Sequence, residues 1–185
     1  NGNITTIPAE QLKVGNFFPV PSEININSIN YEEKNDYLCK ILGYHLSDGC
    51  YELNRGKKNG IQFWNNNELL IQDYFISIKE FFGKDPIITR RKNQMAVRVI
   101  SMGILRFFTN LDKNLLEKGD KKRIPDIILE FPKENLRYLL RALFDGDGTV
   151  TFQKRNGARI KLVSQNKELL NQVADILLRF GIHSS

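Results

Sequence analysis

An α+β fold made of two pseudo-symmetric copies of one αββαββα unit, the second copy incomplete, is what this 185-residue sequence predicts. Three observations carry that expectation. An apolar helix closed by Asp-Gly occurs twice, as Ile41-Leu42-Gly43-Tyr44-His45-Leu46-Ser47-Asp48-Gly49 and as Leu140-Arg141-Ala142-Leu143-Phe144-Asp145-Gly146-Asp147-Gly148. The elements that follow each copy repeat as well. The register also holds: Asp48 to Asp147 is 99 residues, Leu69 to Leu169 is 100 and Gly83 to Gly181 is 98.

Residues 1–21 have short apolar pairs, a turn glycine at Gly15 and prolines at 8, 19 and 21, which suggests one or two strands of a small β module. Residues 22–35 are rich in Asn, Ser and Glu and read as a connector, with Asn35 or Asp36 a candidate N-cap for the first motif helix. The first repeat then spans residues 36–116. Its first hairpin runs from Cys50 to Trp64 and is expected to turn at Asn59-Gly60; the second-copy hairpin, Thr149 to Val163, is expected to turn at Asn156-Gly157. A helix opens after each hairpin, at Asn67-Glu68-Leu69-Leu70 and Lys167-Glu168-Leu169-Leu170, and closes at Phe82-Gly83 and Phe180-Gly181, with glycine as C-cap. The first copy continues with a hairpin made by residues 86–92 and 95–100, then a short helix from about Ser101 to Leu111. Residues 117–132 form a lysine-rich linker, and the second repeat, residues 133–185, starts a long helix after Pro132. It contains only the first half of the unit, so the rest is expected to be cut away, disordered or supplied by another chain.

The chemistry is expected where the two motif helices meet. Gly43 and Ser47, like Ala142 and Gly146, are small residues four apart, a spacing that lets two helix backbones approach closely. Such packing sets Asp48 beside Asp147. Two adjacent carboxylates repel unless a proton or cation lies between them. On a chain with 27 Lys+Arg against 21 Asp+Glu, net charge +6 and pI 9.3, a divalent metal at a phosphate-cleaving site is the economical reading.

The basic excess agrees with a nucleic-acid partner without establishing one. Strand alternation puts Arg159 and Lys161 on one face of the second-copy hairpin, with Thr151 and Gln153, and leaves Ile160, Leu162, Val150 and Phe152 for a packed face. With Lys154 and Arg155, these are the second-copy candidates for DNA contact. The first-copy candidates are Arg55, Lys57, Lys58, Arg90, Arg91 and Lys92. Trp64 and the phenylalanines read as packing groups, and so does His45. Cys39 and Cys50 lack zinc-ligand spacing and read as reduced thiols. No apolar run reaches the ~20 residues of a membrane span, and no signal-peptide pattern is present. A chain without membrane association, intracellular and either cytoplasmic or nucleoid-associated, is the expectation.

The two Asp-Gly motifs resemble those of two-repeat LAGLIDADG (dodecapeptide-type) homing endonucleases embedded in inteins. Leu42 to Gly49 resembles the first motif and Leu139 to Gly148 the second. Lys122-Arg123-Ile124-Pro125-Asp126 resembles the basic-Ile-Pro stretch before the second motif, and Ala9 to Pro21 resembles the strand-turn-strand of an intein splicing domain just before an inserted endonuclease. The resemblance implies a double-strand DNA endonuclease for a long asymmetric site, working as a monomer with internal pseudo-twofold symmetry. It implies saddle-forming sheets in the major groove and Mg²⁺, replaceable by Mn²⁺. Asp48 and Asp147 match the metal-binding positions, with Gly49 and Gly148 beside them, and Lys121 or Lys122 matches the supporting basic residue of the first repeat. Leu46 departs from the acidic residue that the second copy has at Asp145. The remainder of the splicing domain is the expected covalent partner. With Asn1 at the start and no terminal His-Asn pair, this chain is not expected to splice itself. Two rival readings are a DNA-binding protein of the same fold without cleavage and an RNA maturase-like cofactor.

Overall fold

The two motif helices form the centre of the molecule. In a computed structural model, which describes residues 8–11, 13–14, 21–92, 94–117, 119–153 and 157–184, helix α1 (Lys34–Ser47) packs along helix α5 (Lys133–Asp147). A Cβ added to Gly43 would lie 2.7 Å from the Ala142 Cβ and 2.5 Å from the Leu139 carbonyl oxygen; one added to Gly146 would lie 2.6 Å from the Ser47 Cβ. The small residues are thus a steric condition of the helix pair. Residues 41–46 are buried without interruption, because α1 is enclosed by α5 on one side and by the first sheet and its helices on the other.

The first repeat supplies strands β1 (Gly49–Asn54) and β2 (Lys57–Asn65), helix α2 (Glu68–Phe82), strands β3 (Ile87–Arg91) and β4 (Gln94–Ile100), and helix α3 (Met102–Leu111). The strands make one antiparallel sheet in the order β1-β2-β4-β3. Ile61, Phe63 and Val97 are fully buried on its helix-covered face, where the Phe63 ring packs 5.1 Å from Tyr44 of α1 and 5.0 Å from Tyr74 of α2. Helix α2 begins and ends as its sequence predicts. Asn67 Oδ1 accepts from the Leu69 amide at 3.0 Å, and Gly83 takes the left-handed conformation at φ 62°.

Three local expectations are corrected. The first hairpin turns at Arg55 and Gly56, both at positive φ (47° and 76°), and not at Asn59-Gly60. Gly60 instead lies inside β2, where a Cβ would meet the Val99 backbone of β4; glycine serves a close strand approach there. Neither Asn35 nor Asp36 caps α1, which starts at Lys34 after Glu33. The Asp36 carboxylate has better partners, accepting from Asn135 Nδ2 at 2.6 Å and Tyr31 OH at 2.9 Å, and so ties α1 to α5. The segment 117–132 is also more than a connecting tether. It holds helix α4 (Asp126–Leu129) and buries Lys122, Ile124, Ile128 and Phe131.

The second repeat continues with β5 (Gly148–Gln153) and β6 (Gly157–Leu162), an antiparallel pair, and helix α6 (Lys167–Leu178). Residues 154–156, including the expected Asn156 turn position with Lys154 and Arg155, lie outside the described residues; Gly157 opens β6 at φ 73°. The apolar face of this hairpin is not packed as expected. Val150 is 53% exposed, Phe152 84% and Ile160 68%; of their first-repeat counterparts, Ile61 is fully buried and Tyr51 packs against the core, while Leu53, the counterpart of Phe152, is exposed as well. Among the described residues nothing equivalent to β3, β4 and α3 follows α6. Residues 22–35 run along the second repeat and the segment before it: Ile24 N–H donates to Leu178 O at 3.3 Å, Ile29 N–H donates to Glu130 O at 3.1 Å, and Glu23 pairs with Lys133 at 3.0 Å. Of residues 1–21, Ala9–Gln11 form a short 3₁₀ turn, and most of the expected β segment lies outside the described residues. No helix of the described residues is long and apolar enough to cross a membrane.

Candidate active site

The close helix pair brings its two C-terminal ends together. Asp48 is the residue just after α1, and Asp147 is the last residue of α5. Both carboxylates reach solvent on one side and are desolvated on the protein side. Burial pushes each carboxyl up from its ordinary value. The neighbouring Asp48 pushes Asp147 further up, while Lys122 pulls both down. Asn65 Nδ2 donates to Asp48 Oδ2 at 3.2 Å and also favours the charged form. Two helix C-termini, each the negative end of a helix dipole, add to this negative potential.

Lys122 supplies the local positive charge. It is 3% exposed, and its Nζ donates to His45 O at 2.8 Å and to Gly49 O. Burial pulls its pKa down to about 8, against the upward pull of Cys50, Asp147 and Asp48. Of the two lysines expected as the supporting basic residue, Lys122 therefore lies at the acids, while Lys121 is exposed on a 3₁₀ turn. His45 is fully buried beneath it. Its Nε2 lies 2.8 Å from Leu115 O, and burial, with Lys122 adding, pulls its pKa down to about 3, so the ring is neutral.

The donor set fits a small hard cation. Two half-buried carboxylates whose proton affinities are raised, both by burial and Asp147 by Asp48 as well, are stabilised by a divalent ion between them. Mg²⁺ characteristically takes one or two carboxylates and completes its shell with water and substrate phosphate oxygens. Among the described residues no third His, Cys, Asp or Glu joins them. The expected glycine ligands are less well supported. The Gly49 carbonyl is committed to Lys122, and both Gly49 and Gly148 have a steric reason to be glycine, since a Cβ would strike the backbones of His45 and Phe144 respectively.

The candidate DNA contacts divide by strand face. Register places Cys50, Gln62 and Arg98 in one row and Trp64 beside Ala96 on the sheet face away from the helices. Arg91 lies on that face, stacked over Trp64 at 5.2 Å. Arg55 and Lys57 are exposed at the hairpin tip, Lys92 is exposed in the β3–β4 turn, and Arg159 and Lys161 are exposed on one face of β6. Two expected contacts are not brought to this surface. Lys58 donates to Leu116 O at 2.7 Å and lies over the Tyr51 ring, and Arg90 pairs with Glu68 of α2 at 2.8 Å. Adjacent strand residues face opposite ways, so Arg90 and Arg91 cannot share a face.

Two residues absent from the sequence expectations belong here. Asn65 orients Asp48, and no motif marks it. Arg98 lies on the polar face and forms a two-pronged pair with Glu52; the alternation of Val97, Arg98 and Val99 is a signal that could have found it.

Comparison with known proteins bears on the fold. The family described as LAGLIDADG-like domain matches residues 134–185. The chain is 34% identical over 184 residues to the replication factor C small subunit of Methanocaldococcus jannaschii, covering 98% of this chain and 9% of that protein. It is 30% identical over 188 residues to the ATP-dependent DNA helicase Hel308 of the same organism, covering 100% of this chain and 15% of that protein. The chain thus spans only a small part of these relatives. Among solved structures, the homing endonuclease I-DmoI in complex with DNA and Ca superposes with a TM-score of 0.60 at 18% identity, over 83% of this chain and 76% of that one, which shows the fold.

Proposed function

We propose that this chain, which carries a LAGLIDADG homing endonuclease domain, is the DNA-cleaving insert of an intein, acting as a metal-dependent phosphodiesterase on duplex DNA at a long asymmetric site. The observation that carries the reading is the convergence of Asp48 and Asp147 at the ends of a sterically locked helix pair, with the buried Lys122 ammonium beside them. Pure DNA binding has no use for paired carboxylates facing phosphates. The matches to archaeal replication proteins support the intein setting, because this chain corresponds to a small, insert-sized part of each. The splicing-domain remainder is then its covalent partner, and residues 1–21, 22–35, 36–116, 117–132 and 133–185 are its successive segments.

In this reading Asp48 and Asp147 hold Mg²⁺, or Mn²⁺ in its place. The cation, when bound, neutralises charge on the transferring phosphoryl and lowers the pKa of water. Asn65 fixes the Asp48 carboxylate. Lys122, held by two carbonyls, sets a positive charge beside the reacting phosphate and can stabilise the charge that develops there. Water oxygen bonds to phosphorus, the P–O3′ bond breaks, and the 3′-oxygen takes a proton. Arg55, Lys57, Arg91, Lys92, Arg159 and Lys161 track phosphates and base edges.

The test is a duplex library that includes uninterrupted host-gene sequences, incubated with Mg²⁺. Cutting at one long site that disappears in Asp48→Asn and in Asp147→Asn is expected, together with loss of Mn²⁺ binding in the double variant. Retained Mn²⁺ occupancy in the double variant would sink the metal assignment. Tight, sequence-selective binding without any cutting would favour the binding-only rival.

A further inference from the structure

The segment that carries Lys122 is fixed from the second repeat by two buried amides. Gln172 lies in the inward stripe of α6, with Leu169, Val173 and Ile176. A polar side chain in such a stripe is costly unless both ends are bonded. They are: Oε1 accepts from Ile124 N–H and Nε2 donates to Ile124 O, each at 2.8 Å. This two-point bond sets the backbone two residues past Lys122. Asn166 fixes Lys122 itself. Its Oδ1 caps α6, accepting from Leu169 N–H at 3.2 Å, and its Nδ2 donates to Lys122 O at 2.6 Å. Asn67 caps α2 in the same way but is exposed, so the capping role does not by itself require the burial of Asn166. Lys122 is therefore braced twice. Its ammonium is held by carbonyls of the first repeat and its backbone by side chains of the second.

We propose that Asn166 and Gln172 are positioning residues that hold the Lys122 ammonium at the Asp48–Asp147 pair, so that the second repeat sets the placement of a first-repeat basic group. The proposal rests on the endonuclease reading for its consequence in catalysis, but not for its geometry.

The test uses the full chain and the variants Asn166→Ser and Gln172→Met. Serine retains a capping oxygen and removes the amide donor; methionine removes both bonds at similar volume. The NMR signal of the Lys122 NH₃⁺, sharpened by burial, reports ammonium placement, and Leu169 amide protection reports whether α6 is intact. With Leu169 protection retained, the Lys122 signal is expected to shift or vanish. Single-turnover DNA cutting in Mg²⁺ should fall about tenfold to a hundredfold, with duplex affinity changed by less than about twofold. An unchanged Lys122 signal in both variants overturns the proposal. Should one variant lose α6 protection, Asn166→Asp, which keeps the cap and lacks the donor, decides by the same two readings. If the parent chain cuts no DNA, the endonuclease reading fails by itself and the NMR arm still decides the positioning.

Discussion

The Lys122 ammonium lies 2.8 Å from the carbonyl oxygen of His45, in the last turn of the helix that presents Asp48. The link joins the end of α1 to a segment 77 residues later in the chain. It makes the basic group and the acid parts of one rigid corner. A buried charge of this kind contributes little to stability, since its desolvation offsets its bonds.

Lys122→Met is therefore expected to leave the unfolding midpoint unchanged or raised while cutting falls by about a hundredfold or more, the scale of losing one preorganised charge. Chemical denaturation and single-turnover cleavage on the same preparation check this. A large loss of stability with unimpaired cutting would make Lys122 a structural lysine. Lys121→Met, at an exposed position, should alter neither.

The helix pair gives a second expectation. Gly43→Ala puts a methyl 2.7 Å from the Ala142 Cβ, and Gly146→Ala puts one against Ser47. Overpacking at a close contact costs about 1–3 kcal/mol, more than alanine's helix preference returns. Both variants should unfold at lower denaturant concentration. Because relief of the clash moves the helix ends apart, Mn²⁺ affinity should drop as well. A stabilised Gly43→Ala would mean that the helices do not approach as described.

Much of this was legible in the sequence because repetition and sterics left local marks. The offset near one hundred residues located the elements, and the small residues at Gly43, Ser47, Ala142 and Gly146 marked the contact. What was not legible depended on tertiary partners. Asn59-Gly60 carries a strong turn signal, yet the sheet uses Gly60 for the approach of β4. Asp36 would cap a lone helix, yet Asn135 claims it. Lys121 and Lys122 are equivalent as sequence, and only the burial of one beside Asp48 and Asp147 separates them.

His45 predicts a pH dependence of stability. Its ordinary pKa of 6.5 is pulled down to about 3 in the folded chain, chiefly by burial. Between these values the unfolded chain binds a proton that the folded chain does not. The stability associated with neutral His45 is therefore complete above pH 6.5 and lost as pH falls toward 3, by at most about 1.4 kcal/mol per pH unit. His45→Gln can keep the donor to Leu115 O without titrating. Denaturant unfolding at several pH values should show the parent losing stability relative to this variant on acidification. Parallel curves would mean that the histidine is not buried neutral.

The exposed hairpin face separates apolar residues by role. Phe152 and Ile160 are 84% and 68% exposed, so Phe152→Ser and Ile160→Thr should change stability by no more than about 0.5 kcal/mol. Both should reduce self-association and dye binding, as expected for a contiguous apolar patch. Phe63→Ala, in the covered face of the first sheet, should cost about 3–5 kcal/mol. Equal costs at Phe152 and Phe63 in unfolding experiments would show that the second hairpin is packed in solution.

The last expectation concerns which cations meet DNA. Arg159 and Lys161 are exposed side by side on one face of β6, whereas Lys58 is spent on Leu116 O and Arg90 on Glu68. Each phosphate contact that is removed should flatten the dependence of log affinity on log salt by about 0.9. Arg159→Ala and Lys161→Ala should each weaken duplex binding and flatten that slope. Lys58→Ala and Arg90→Ala should leave it unchanged, although all four remove one positive charge. Net charge alone would predict the same small effect from every variant, so the contrast isolates the face on which each cation sits. Fluorescence anisotropy of a labelled duplex across a salt series gives the four slopes. A slope lowered as much by Arg90→Ala as by Arg159→Ala would assign the helix-covered side of β3 to the DNA and reverse the orientation of the first sheet.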